Sequence, residues 1–382
     1  MRRFGRAVLG GLVAFGLLSA LPAAVFAAQP ACGDTLTSNT TLTADLDCSA
    51  YAGTALNVGA NRITIDLGGH TIWGYTGADS YSGVDNSGYK KVVVKNGTIA
   101  NYNYGVSLEA AIDTVVKKLT ITGEAADTDA TGVYQYRGVG NTIDHLKISG
   151  MYYGMYIYQA AETHVTNNHV TDAAYGAYFE YESNDVIQGN YVEYTYAGFY
   201  DDYSSHQLYK SNDANGSPGS GSYGFYLDCD DYGYVNAINN TTKGNSSYAF
   251  YFYYCYDDSH NTSGSTIRGN TANDNSGTAF YDYYSINSKW TSNTAKRNGE
   301  GFYLYYPGRV VFQYNVANAN LDSGMYIDDN YGTGYGNFKN MSYNTANNNG
   351  GYGMYAAYGV PGGAGNKATG NGSQNCYNVR CN

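Results

Sequence analysis

Three carboxylates share a common spacing in the middle of the chain: Glu180, Asp202 and Asp228, 22 and 26 residues apart. Each follows a tyrosine by two residues: Tyr178, Tyr200 and Tyr226. If that spacing is one structural repeat, neighbouring carboxylates sit on backbones about 5 Å apart and alternate ones about 10 Å apart. Those distances bracket the separations used in retaining and inverting glycoside hydrolysis, so these three are the candidate catalytic residues. Crowding like charges raises at least one pKa, as a general acid requires, or else recruits a cation. A second acidic group, Asp228, Asp230, Asp231, Asp257 and Asp258, supplies hard oxygen ligands suited to Ca²⁺. As a calcium loop it is incomplete, because Tyr232 replaces a ligand and Asn239 stands where a bidentate glutamate belongs. His206 and His260 read as loop histidines, and neither a nucleophile triad nor a zinc motif stands out.

The tyrosines belong to a longer pattern. Ten times the chain repeats a small residue, an apolar residue and a tyrosine, the tyrosines being Tyr134, Tyr156, Tyr178, Tyr200, Tyr226, Tyr251, Tyr281, Tyr303, Tyr326 and Tyr355. The steps are 22, 22, 22, 26, 25, 30, 22, 23 and 29 residues, a period of 22 with insertions of up to eight. A period of that length means a solenoid. Alternation places the apolar residue inside, the tyrosine outside and the next residue inside again, as a strand requires. The abundant glycine and asparagine would interrupt a helix. Parity also points Asp201 and Asp282 inward, so either the strand has ended there or these acids are bound.

Stacked in register, the tyrosines form one outward column, with Tyr136, Tyr158, Glu180, Asp202, Asp228, Tyr253, Tyr283, Tyr305, Asp328 and Ala357 as a second. Tyrosine rings with a wet edge suit a polysaccharide, so Tyr156, Tyr178, Tyr200, Tyr226, Tyr251, Tyr281 and Tyr303 are the candidate binding residues. A purely structural ladder of stacked rings explains the same column without any ligand. A further apolar or β-branched segment in each repeat ends at an asparagine. Asn190, Asn212, Asn240, Asn270, Asn293, Asn315, Asn344 and Asn371 make a bend column able to bond from coil to coil.

Two or three short strands per 22 residues predict an all-β fold, a parallel β-helix of about 13 coils and about 60 Å long. Coils at Ala55, Gly83-Val84 and Gly105-Val106 extend it without the outward tyrosine. The chain resembles the right-handed parallel β-helix superfamily of pectate lyases, polygalacturonases and secreted repeat proteins. The entry segments Cys32-Gly33-Asp34-Thr35-Leu36 and Ile63-Thr64-Ile65-Asp66-Leu67-Gly68-Gly69-His70 add to that resemblance. The resemblance implies the fold rather than one activity. Asn184-Asp185 and Asp201-Asp202 are loosely similar to polygalacturonase motifs, but no Gly-His-Gly or Arg-x-Lys follows. The tyrosine columns lack the basic proton acceptor of a pectate lyase, and Tyr256-Asp257-Asp258-Ser259-His260 is only faintly similar to an epimerase Asp-Pro-His.

Arg2, Arg3 and Arg6 precede an apolar run from Ala7 to Leu21, so residues 1–28 read as a secretory signal cut after Ala27 or Ala28. Without its three arginines the chain has 18 basic against 32 acidic residues, a net charge of about −14. That balance excludes a nucleic-acid partner, and no later run is long enough to cross a bilayer. An extracellular polysaccharide or cell-surface matrix is the expected partner, and a secreted or extracytoplasmic location is expected. Six cysteines in an exported chain read as disulfides. Cys32 with Cys48 and Cys376 with Cys381 would clip the ends, and Cys229 with Cys255 would either join neighbouring coils with a one-residue offset or stay as two reduced thiols. The expected division is an N-terminal cap at 29–60, a β-helix at 61–375 and a C-terminal clip at 376–382.

Overall fold

The computed structural model describes residues 29–74, 81–123, 129–216, 221–229, 233–255, 264–328, 338–358, 360 and 363–382. The leader expected at residues 1–28 lies outside them, as do Asp230, Asp231, Asp257, Asp258 and His260. Every regular element among the described residues is a strand, and every strand pairs in parallel, forming a solenoid of about 13 turns.

Each turn has three short faces. The repeated phrase builds the first sheet, with strands such as Tyr153–Tyr158, Tyr175–Glu180 and Ala197–Asp202. The second sheet contains His164–Thr166, Val186–Gln188 and Gln207–Lys210, and the third contains His169–Thr171, Tyr191–Thr195 and Asp213–Gly216. Near the N-terminal end the last two faces merge, since Val115–Thr122 pairs with both Thr142–Asp144 and Lys147–Ser149.

Fifteen described strands make up the first sheet. Its ladder runs into both expected end segments: Asp34–Leu36 pairs with Leu56–Val58, and Cys376–Tyr377 pairs with Met354–Ala356. The cap and clip therefore continue the sheet and carry no ladder break. Val84, Val106 and Val133 are in register, and Asp85 and Ser107 stand where later coils carry tyrosine.

The interior follows the alternation. The apolar residue of all ten phrases is fully buried, from Val133 to Met354. Phe199, Phe225, Phe250, Phe280 and Phe302 stack inside at 4.6–4.9 Å with interplanar angles no larger than 11°. Strand spacing sets that distance, so identical rings on successive coils meet face to face. Glycine precedes the apolar residue where room is short. A Cβ on Gly154 would overlap the Gly176 carbonyl and the Val170 side chain.

Two asparagine ladders hold the bends. The first runs from Asn168 through Asn190, Asn212, Asn240, Asn270, Asn293, Asn315 and Asn344 to Asn366. In each step the N–H and the Nδ2 both donate to the Oδ1 one coil on, as Asn240 does to Asn270 at 2.9 and 3.0 Å. Asn371 was expected here but belongs to a second ladder, Asn245, Asn275, Asn298, Asn320, Asn349 and Asn371. Two asparagine bends per coil share one period, so spacing alone does not separate them. All three disulfides are present, and Cys229–Cys255 ties neighbouring coils at a Cα separation of 4.8 Å.

Candidate functional site

The ten tyrosines are in register on the outside of the first sheet, each partly exposed. From Tyr178 to Tyr377 nine rings stack in one run, with centroids 4.4–5.3 Å apart and interplanar angles of 2–17°. Their faces cover one another, so the surface of this run consists of ring edges and phenol hydroxyls. Burial pushes the Tyr200 and Tyr281 phenols up to about 12. The run begins at a break, where Tyr156 and Tyr178 meet edge to face at 89°.

The break coincides with the acids. In the second outward column Tyr136 and Tyr158 stack at 5.4 Å, and Tyr253, Tyr283 and Tyr305 stack at 5.2 and 5.3 Å. Between them stand Glu180, Asp202 and Asp228, and register pairs Glu180 with Asp202. The Tyr156 hydroxyl donates to Glu180 Oε2 at 2.6 Å, and the Tyr178 hydroxyl reaches Asp202 Oδ2 at 3.5 Å. Partial burial raises the pKa of Asp202, the charge of Glu180 adds to this, and the Tyr178 hydrogen bond opposes it. Asp228 is not equivalent to the other two, being only 7 % exposed and adjacent to the Cys229–Cys255 bridge.

A fourth wall was not anticipated. Three residues after five of the column tyrosines come Tyr181, Tyr203, Tyr254, Tyr284 and Tyr306, all at strand-end bends with φ of 49–71°. Bulky residues rarely adopt that conformation. Tyr181 and Tyr203 are 50 % and 48 % exposed and stack at 5.4 Å. The fixed offset was legible in the sequence, but a bend position suggests glycine or asparagine rather than an aromatic ring. The arrangement is an acidic strip, with Tyr178, Tyr200 and Tyr226 along one side of the carboxylates, Tyr181 and Tyr203 following Glu180 and Asp202 on the other, and Tyr158 and Tyr253 at its ends.

Asp201 and Asp282 do point inward, and the strands continue past them. Asp201 Oδ2 accepts a hydrogen bond from Tyr209 at 2.8 Å, and Asp282 is bonded to Ser285. Burial lifts Asp201 to about 8 and Asp282 to about 7. Asp185, from the Asn184-Asp185 pair, is also interior, accepting from the Thr163 N–H and Gln207 Nε2. Burial raises both Asp185 and its neighbour Glu182, and Asp185 raises Glu182 further. Asp185 and Asp201 are thus core groups, so the polygalacturonase-like likeness does not extend to the surface. His206 is exposed, its ring edge-on to Tyr234.

Residues 218–372 match the family described as right handed beta helix region, and residues 117–262 match the family described as periplasmic copper-binding protein (NosD). The chain has the right-handed parallel β-helix fold. Among solved structures, the β-helix is similar to the catalytic domain of a GH87 alpha-1,3-glucanase in complex with tetrasaccharides. That match has 14 % identity and a TM-score of 0.55 over 91 % of this chain and 70 % of that one. The Streptococcus pneumoniae surface protein and adhesin PfbA matches with 11 % identity and a TM-score of 0.50 over 74 % and 85 %. The periplasmic alginate epimerase AlgG matches with 13 % identity and a TM-score of 0.47 over 84 % and 76 %. No curated protein matches the chain. Copper needs imidazole, thiolate or thioether donors. All six cysteines are disulfide-bonded, and among the described residues no three of His, Cys, Asp or Glu converge on a metal position. The described residues therefore offer no three-ligand His, Cys, Asp or Glu group for copper.

Proposed function

We propose that this is an exported β-helix protein that binds an extracellular polysaccharide along the tyrosine and carboxylate face of its first sheet. The observation that carries this reading is the replacement of stacked tyrosine by Glu180, Asp202 and Asp228 over three consecutive coils, with aromatic rings on both sides. Because the ring faces are mutually covered, a chain lying there meets phenol hydroxyls, ring edges and carboxylates, which suit sugar hydroxyls. The acidic charge favours neutral or calcium-bridged chains over free polyanions. The glucanase domain with bound tetrasaccharides, which shares the fold, supports a carbohydrate-associated role, and the surface adhesin supports a place outside the cell. Glu180 and Asp202, on backbones about 5 Å apart, are the pair we propose for any cleavage. Asp228 with Asp230, Asp231, Asp257 and Asp258 is the proposed Ca²⁺ group.

The test is binding to a panel of soluble and insoluble polysaccharides, with and without Ca²⁺, followed by assay for new reducing ends. Replacing both Tyr200 and Tyr226 with alanine should weaken binding at least tenfold, about 1.4 kcal/mol, while the β-sheet spectrum is kept. Loss of product release with retained binding in Asp202→Asn would make the protein a hydrolase. Binding without release would make it a recognition module. The continuous stack favours one alternative, a non-enzymatic surface or matrix protein with a structural ladder. In that case the wild type binds no polysaccharide, and the double variant shows only a lowered Tm. Export predicts a mature N-terminus at Ala28 or Gln29.

A further inference from the structure

The third sheet carries a cleft of about 350 Å³, lined by Tyr191, Glu193, Tyr194, Asn215, Lys243 and Asp274 around Gly216 and Gly244. Its origin is a gap in a column of side chains. The left-handed bend at the end of the third-sheet strands bears Asp172, Tyr194, Gly244, Asp274, Arg297, Ala319 and Asn348, while the strand Asp213–Gly216 ends on Gly216, which pairs with Thr195. Gly244 thus leaves the bend column without a side chain, Gly216 adds none beside it, and the cleft lies between Tyr194 and Asp274.

The edges of the gap are built. The strand register shifts between Glu193 and Thr195, and the extra residue, Tyr194, has φ of 56° and is 57 % exposed. Bulges of this kind re-aim a side chain and often stand beside sites. At the other end Asp274 is clamped by Arg297 through two bonds of 2.6 and 2.8 Å. Glu193, Asn215 and Lys243 are register neighbours along the floor. Tyr191 donates to Glu193 Oε2 at 2.8 Å, and His169 Nε2 lies 3.6 Å from its Oε1.

One polar atom in the cleft is unmatched. Asn215 is only 8 % exposed, and its Oδ1 has no hydrogen-bond partner among the described residues. Beneath Gly216, the fully buried Asn245 Oδ1 is in the same position. A buried acceptor without a donor is costly, so the cleft is set up for a ligand that donates. Lys243 beside it can only donate, so the same ligand must also accept. Hydroxyl groups do both. The carboxylates of Glu193 and Asp274 disfavour an anion, and Lys243 disfavours a cation. The Tyr194 ring offers an apolar surface.

We infer that this cleft binds a single neutral sugar ring, as a saccharide subsite separate from the tyrosine face. The volume suits a small ligand. The inference is independent of the polysaccharide reading of the first sheet, since it uses no residue of that sheet.

Saturation-transfer NMR with methyl glycosides of neutral hexoses, and with the matching uronic acids, tests it on the full chain. Gly244→Asn fills the gap. Asn348 and Asp274 already occupy this bend on other coils with φ of 57°, and the nearest atom to a Cβ on Gly244 is the Gly216 carbonyl at 3.5 Å. The wild type should bind at least one neutral glycoside, with affinity reduced tenfold or more in Gly244→Asn and unchanged in Leu321→Ala, at an exposed position outside both sites. Lys243→Met, at an exposed position, should also weaken binding and guards against misfolding of the first variant. Three results overturn the inference: no transfer to any neutral glycoside, undiminished transfer in a folded Gly244→Asn, or stronger binding of the uronic acids.

Discussion

At the scale of single residues, buried acids set the pH response. Asp201, Asp282 and the Glu182–Asp185 pair have pKa values raised by burial, so the folded state holds protons that the unfolded state releases above about pH 4. Asp201 faces Tyr209 and also meets the charges of Asp185, Glu182 and Asp228. Stability from these groups is full below the unfolded pKa and is lost as pH rises through the folded one. For Asp201 that window runs from about 4 to about 8, at about 1.4 kcal/mol per pH unit. Asp66 and Asp144, whose pKa values are lowered, behave oppositely and lose stability only as pH falls below the usual carboxylate range. The Tm should therefore peak near pH 4–5 and fall toward pH 9. Asp201→Asn keeps an acceptor for Tyr209 and removes the ionisation, so its Tm profile above pH 6 should be flatter and higher than wild type. A steeper alkaline fall in that variant would refute the assignment.

At the scale of elements, the bends carry as much specification as the strands. Asn270 accepts from the N–H and Nδ2 of Asn240 and donates to Asn293 Oδ1 and the Ala237 carbonyl. Asn270→Ala removes the donor, leaves the buried Asn240 N–H without an acceptor and takes one of the two acceptors from Asn240 Nδ2, which keeps the Tyr209 carbonyl. A loss of about 3 kcal/mol in denaturant unfolding is expected, against a fraction of that for an exposed asparagine such as Asn167. The inward column and the outward tyrosine were both readable from alternation, because strand side chains have a period of two. The division of the asparagines into two ladders was not, because both repeat once per coil. Nor were the aromatic bends at Tyr181 and Tyr203, where ring stacking offsets a left-handed backbone that costs on the order of 1–2 kcal/mol.

At the scale of the whole molecule, each coil touches only its neighbours, so stability is close to a sum of coil and interface contributions. The repeats that begin at Gly224 and Ala249 are lengthened to 25 and 30 residues. Cys229–Cys255 fastens those two coils, and its closure of a 26-residue separation is worth roughly 3 kcal/mol in the chain-entropy account. Replacing both cysteines with serine should lower hydrogen-exchange protection around residues 223–253 first, leaving coils near the two ends protected. Uniform loss along the chain would instead show a single cooperative unit.

The repeat in the sequence determined that the chain is a parallel β-helix and which face of each strand turns inward, while the structure decided that Cys229 and Cys255 are bonded. Local periodicity contains the fold and the inward face, since a coil of fixed length can stack only on its own kind. Tertiary structure alone decided how neighbouring side chains share the surface. It turned the tyrosine rings face to face, drew Asp228 nearly out of solvent, engaged Glu180 with Tyr156, and opened the cleft beside Gly244 on another face. These outcomes depend on packing between residues 22 or more positions apart, and no period of one repeat encodes them.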